Sequence, residues 1–320
     1  MRMMGIKAIA VSVVLILALL LGACQSPATP TPKASASTLR VVATLSFLAD
    51  IAQNVAGERL QVSALLPAGV DPHGYEPTPA DVAKVADCQV LIVNGAGLEA
   101  FLEKLLRSVG GERLVIEASA GLVSRTAREG ELAEQEHEEP AEQEHESDPH
   151  FWLDPNLVIR YVENIRDGLS QADPAGAAVY AANAAAYTTR LKELDAWIRE
   201  QVAQIPPPRR LLVTNHESLG YFADRYGFRI VGTIIPSVST GASPSAQQLA
   251  RLVDAIKESG APAIFLETGS NPQLARQLAQ ETGVKVVTDL YTHSPGVEGG
   301  YIEMMQHNVR LIVEALGKRE

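Results

Sequence analysis

The chain has 320 residues, of which 46% are hydrophobic, a normal content for a globular protein. Its net charge of −11 argues against nucleic acid as a partner. Only Cys24 and Cys88 carry thiols, and with Cys24 expected to be acylated after export, no internal disulfide is available.

Arg2 and Lys7 lead into an apolar run from Ala8 to Leu21, long enough for a signal-peptide core and too short to span a bilayer. Leu21-Gly22-Ala23-Cys24 follows and resembles the lipobox of bacterial lipoproteins. That resemblance implies removal of residues 1–23, acylation of Cys24 and an extracytoplasmic protein held on the cell membrane. Residues 24–38 are rich in Ser, Thr, Pro and Ala without apolar periodicity, and read as a flexible tether. The remaining chain is long enough for two lobes.

The first lobe is expected over residues 39–173. Strand-like runs at Leu39–Leu45, Val62–Leu66, Val90–Val93 and Leu114–Glu117 alternate with helix-like stretches at Phe47–Ala56, from Thr78-Pro79 toward Asp87, and around Glu99–Ser108. Thr78 suits an N-cap and Pro79 the first helical position. Cys88, between a helix and a strand, reads as a packing residue. Glu129 to Asp148 then holds ten acidic residues and no basic one, with a short duplication around His137 and His145. It lacks the apolar residues to fold alone and reads as a loop. Its carboxylates would concentrate divalent cations, and the two imidazoles add ligands suited to zinc.

A helix from about Asn156 to Gln171 follows. Asp173-Pro174 then looks like the start of a long helix over 174–205, ended by Pro206-Pro207-Pro208, a rod of roughly 45 Å at 1.5 Å per residue. The second lobe, 206–320, repeats the alternation. Strands are expected at Leu211–Thr214, Ile230–Ile235, Ala263–Leu266 and Val284–Thr288. Helices are expected at Leu219–Tyr226, from a Ser243-Pro244 cap to Glu258, at Asn271–Thr282 and at Tyr301–Leu316. The predicted fold class is therefore α/β, with two (βα)-repeat lobes, parallel sheets and one long joining helix. Ligands of such sheets bind beyond the carboxyl ends of strands, so a site is expected in the cleft between the lobes.

Three histidines occupy stiff turns flanked by carboxylates: Asp71-Pro72-His73, Asp148-Pro149-His150 and Asn215-His216-Glu217. With Asp289, at the end of a strand-like run, they form a set of three imidazoles and one carboxylate suited to Zn2+, or to Mn2+ as runner-up. Glu217 and Glu267, together with Asp71 and Asp148, are candidates to orient the rings and balance the charge. His293, four residues after Asp289, is the weaker candidate for the same set, and His307 reads as structural. No His-Glu-x-x-His helix is present, which counts against a metallohydrolase.

Gly69 to Pro79, Asp148 to Pro155 and Thr214 to Ala223 together resemble the zinc/manganese-binding proteins of bacterial ABC importers, from about residue 39 to the C-terminus. The resemblance implies two α/β lobes joined by a rigid helix, with metal bound between them by His73, His150, His216 and Asp289. His at the third position points to zinc, where manganese binders commonly carry Glu. It implies a monomeric, non-enzymatic carrier that delivers the ion to an ABC permease in the cytoplasmic membrane. A manganese or iron carrier, a surface adhesin and a zinc hydrolase are the alternatives.

Overall fold

The computed structural model describes residues 39–125, 147–296 and 299–317. The export segment, Cys24, the tether, and His137 and His145 with nearly all of the acidic insert lie outside the described residues. All described residues fall within one compact unit.

The first lobe is built on a parallel sheet of order β2-β1-β3-β4, comprising β1 (Val41–Ala43), β2 (Val62–Ala64), β3 (Val90–Val93) and β4 (Leu114–Glu117). Val-Val-Ala in β1 and Val-Leu-Ile-Val in β3 are buried throughout, the unbroken apolar run of a central strand covered on both faces. Helices α1 (Ser46–Ala56), α2 (Pro79–Asp87) and α3 (Leu102–Val109) connect them. Thr78 caps α2 as expected, and Asp81 returns the bond to the Thr78 N–H, a complete capping box. Cys88 is buried, its thiol against the Val85 carbonyl, and burial raises its pKa.

Helix α4 (Pro155–Ala172) and the long α5 (Ala177–Ala203) follow, separated by a 3-10 turn at Pro174–Gly176. Helix α5 has 27 residues, about 40 Å. Tyr180, Ala184, Tyr187, Leu191, Leu194, Ile198 and Val202 form its buried stripe, spaced three and four apart, so one face stays inward along its whole length. It packs on α1 and α4, and also on the last helix, α9 (Tyr301–Leu316). Asp173 does not cap it. That carboxylate accepts from Arg59 and from the Tyr180 hydroxyl instead.

In the second lobe β5 (Leu211–Thr214) pairs with β6 (Arg229–Thr233), and β7 (Ala263–Glu267) with β8 (Lys285–Leu290), both parallel, with β5 beside β7. Helices α6 (Gly220–Tyr226), α7 (Ala246–Ser259) and α8 (Gln273–Thr282) alternate with them. The cap of α7 is Ser245 with Gln248, two residues later than the expected Ser243-Pro244. Side chains alternate across the strands. Leu212, Ala263 and Phe265 join the main core shared with the first lobe, while Leu211, Val213, Ile264 and Leu266 build a second core under α7 and α8.

The lobes are braced on one side. Tyr301 in α9 donates from its backbone to Asp50 in α1 and from its hydroxyl to the Trp152 carbonyl. Trp152 stacks on Phe47 and donates from its indole to the Thr292 carbonyl at 2.6 Å. The ligand-bearing loops meet above this brace.

Candidate metal centre

Each Asp-Pro-His turn is closed in the same way. The His73 N–H donates to Asp71 Oδ1 and the His150 N–H to Asp148 Oδ1, both at 3.0 Å. Proline fixes φ between the two partners and limits the turn to few conformations. The second turn is tied further into the core. Asn94 Nδ2 donates to the Pro149 carbonyl and is itself held by the Tyr161 hydroxyl. His216 comes two residues after β5, its carbonyl accepting from the Ser218 N–H and the Thr214 hydroxyl.

The structure gathers His73, His150 and His216 with His293, and the four ligand nitrogens all lie within 4.8 Å of one another. The Nε2 atoms of His73 and His293 are 3.2 Å apart, as are those of His150 and His216. A tetrahedral ion with bonds of 2.0–2.1 Å would place such nitrogens about 3.3 Å apart. The two close pairs are near that spacing.

Behind the rings, Nδ1 atoms face carboxylates. His150 Nδ1 lies 2.9 Å from Asp148 Oδ1. His216 Nδ1 is 2.6 Å from Glu267 Oε1, somewhat off the line of a hydrogen bond, and His293 Nδ1 is 3.8 Å from Glu267 Oε2. A proton held at His150 Nδ1 by Asp148 leaves that ring's Nε2 lone pair pointing inward, Glu267 favours the same tautomer in His216, and His293 Nδ1 pairs with the Thr292 hydroxyl at 3.1 Å. Asp148 and Glu267 are both buried, so they can offset the two charges of a dication in a medium where compensation matters most.

Titration follows the same geometry. Burial and the neighbouring imidazoles hold His150 and His293 well below the ordinary histidine range, and His73 is lowered to about 4, chiefly by burial. Burial opposes charge on His216, but Glu267, Asp71 and Asp148 together outweigh it and the pKa is raised. Asp148 is pushed up to about 7 by burial. Most of the rings therefore present neutral nitrogens at neutral pH.

Asp289 lies outside the cluster, contrary to expectation. It is exposed, its carboxylate accepting from the Thr288 hydroxyl at 2.9 Å. The cause is a register shift. Phe265 pairs with Val287 and Glu267 with Leu290, so β8 spends three residues where β7 spends two. Asp289 occupies the bulge at φ +70°, a conformation Asp tolerates better than most residues. Leu290 then turns to the core, and His293 arrives in the loop beyond, its segment anchored by the Trp152 indole at Thr292. The sequence signal for it was the apolar Leu290, which claims the inward face of β8 next to Asp289. Glu267 sits behind two of the rings. Glu217 is half-buried, and its N–H holds the loop by donating to the Ser237 carbonyl. His307 donates to or accepts from no ring of the cluster among the described contacts. It stacks on Tyr291 and its Nε2 bonds the Asp289 carbonyl.

The chain matches a family model described as ZnuA, zinc-uptake complex component A, periplasmic, over residues 41–315. It is 36% identical over 310 residues to the manganese-binding lipoprotein MntA of Halalkalibacterium halodurans, covering 96% of this chain and 97% of that one. It is 32% identical over 291 residues to the iron-binding protein YfeA of Yersinia pestis, covering 90% and 89%. Among solved structures it is similar to the periplasmic zinc-binding protein TroA of Treponema pallidum, with a TM-score of 0.76, 29% identity, and 88% and 100% of the two chains covered. With nearly the whole folded chain matched and four imidazoles gathered between its lobes, the protein belongs to the ZnuA family of metal-binding substrate-binding proteins of ABC transporters.

Proposed function

We propose that this protein captures a divalent first-row transition metal outside the cytoplasm and hands it to an ABC permease in the membrane, with His73, His150, His216 and His293 as the ligands. The observation that carries the reading is the convergence of four imidazoles from four separate loops, backed by the buried carboxylates Asp148 and Glu267. The family is one of substrate-binding transport proteins, which supports a carrier reading over an enzymatic one. Acylated Cys24 anchors a monomer beside the permease, and the acidic insert with His137 and His145 collects divalent ions.

Two observations bear on the metal and point in different directions. Of the proteins named above, MntA and YfeA are called manganese-binding and iron-binding and the less similar TroA zinc-binding, so kinship at the higher identities favours manganese or iron over the zinc expected from the sequence. The donor atoms favour zinc, because manganese prefers oxygen-rich shells and this set is all nitrogen. Metal content of the protein isolated from its own cells, grown at matched supplies of manganese, iron and zinc, decides between them. Recovery of the protein with none of these ions bound, together with no binding on titration, sinks the functional reading itself.

A further inference from the structure

A cavity of about 330 Å3 lies against the cluster on the second-lobe side. Its floor includes the buried Glu267 and His293, and its rim carries the exposed Asp71, Ser243, Thr268 and Asn271. Among the described residues lining it there is no Lys or Arg. The polar wall is made of carboxylates, hydroxyls, amides and backbone, which suits a hydrated cation and repels an anion.

We infer that this cavity is the route by which the hydrated metal ion reaches the four imidazoles, and that its rim governs the rate of capture. The inference rests on the metal-binding reading above. Asp71 stands at the entrance with one carboxylate oxygen on the His73 N–H and the other on the Thr240 hydroxyl across the cleft. A negative rim draws the dication in. The hydroxyls and amides of the walls replace lost water ligands as the ion sheds its shell. His293 and Glu267 are the first members of the centre it meets. Of the rings, His150 and His216 are fully buried, His293 retains some exposure on the cavity floor, and the half-buried His73 lies outside the cavity lining.

The test is stopped-flow binding and release of Co2+ alone, read by its absorbance. Two rim variants are compared with wild type: Ala242→Trp, which fills the opening, and Ser243→Lys, which offsets the negative charge of Asp71 at the rim. Ala242→Ser, which keeps the opening, is the control. Both rim positions are exposed, outside the ligand set. A plugged route slows capture and release by the same factor, since the same path serves both directions, so Ala242→Trp should lower both rates about tenfold and leave Kd unchanged. Ser243→Lys should slow capture roughly three- to tenfold at low salt, with the difference shrinking at high salt. Wild-type rates in both variants overturn the route while leaving the metal site standing. No Co2+ binding by the wild type removes the site and the route together.

Discussion

The two Asp-Pro-His turns are the same tripeptide used twice, with the same backbone bond at the same distance, and they end in different surroundings. Asp71 is exposed and divides its oxygens between the His73 N–H and Thr240. Asp148 is buried and takes both the backbone and the ring of His150 on one oxygen, while Arg125 stands 4.0 Å from the other. His73 keeps partial exposure, whereas His150 has none and leads directly into the Phe151–Leu153 turn packed under the site. Local chemistry sets the shape of such a turn. The core around it sets how strongly the ring is held and what charge its partner can bear.

The contrast can be broken most directly at the rings. Binding of a structural zinc by four ligands is worth about 10–16 kcal/mol, so each ligand contributes on the order of 3 kcal/mol, about 100-fold in Kd. His150→Ala and His73→Ala should each weaken binding by at least roughly that factor. Only His150→Ala should also lower the Tm of the metal-free protein, because it opens a cavity beside Trp152 and strips a buried carboxylate of its partner. Equal Tm losses in the two variants would erase the distinction.

The fourth ring extends the same logic. Calorimetric titration of His293→Ala should show a loss of about 100-fold, against no more than about twofold for Asp289→Ala, whose carboxylate faces solvent. The reverse order would restore Asp289 to the site.

Behind the rings the expected effects are smaller. Asp148→Asn should cost about 10- to 100-fold in metal affinity, the usual consequence of losing the partner that orients a ligand histidine. Asp71→Asn keeps an acceptor for the His73 N–H, and its equilibrium loss should stay within a few-fold. A larger loss for Asp71→Asn than for Asp148→Asn would contradict the difference in burial.

The smallest effects are in the pH dependence of the metal-free protein, and they carry opposite signs. His73 sits at about 4 when folded and near 6.5 when unfolded, so between those values only the unfolded chain takes up the proton. Stability from this ring is present above 6.5 and is lost as pH falls toward 4. Asp148 sits at about 7 when folded, against 3.8 for an unperturbed carboxyl, so there the native state takes up the proton first. Its contribution is greatest at low pH and is lost as pH rises through 7. Relative to wild type, His73→Gln should therefore gain Tm and Asp148→Asn should lose it as pH falls from 6.5 to 4, each on the order of a few degrees. Thermal melts in the presence of chelator measure both slopes, and slopes of like sign would refute the paired assignment.

Much of the architecture could be read from residue pattern alone. The eight strands and nine helices of the described residues fall where apolar periodicity and capping residues place them, within a few positions at the ends. The helices most clearly legible were those with strong local signals, such as Thr78-Pro79 and the long Pro-free stretch closed by Pro206-Pro207-Pro208. Where two capping residues lay close together, as at Ser243 and Ser245, the pattern did not choose between them.

His73 and His150 were visible in the sequence because proline and a short carboxylate make a local structure that depends on few distant contacts, and His216 because it directly follows a strand-like run. The fourth was not. Whether Asp289 or His293 joins them depends on one extra residue in β8, and such a bulge is set by how β8 registers against β7 and by which side chain the core accepts. Alternation gives a strand two faces, and only tertiary packing determines which of them is inside. The sequence by itself determined the alternation of strands and helices and the two Asp-Pro-His turns. The tertiary structure decided the last ring and the burial that separates His150 from His73.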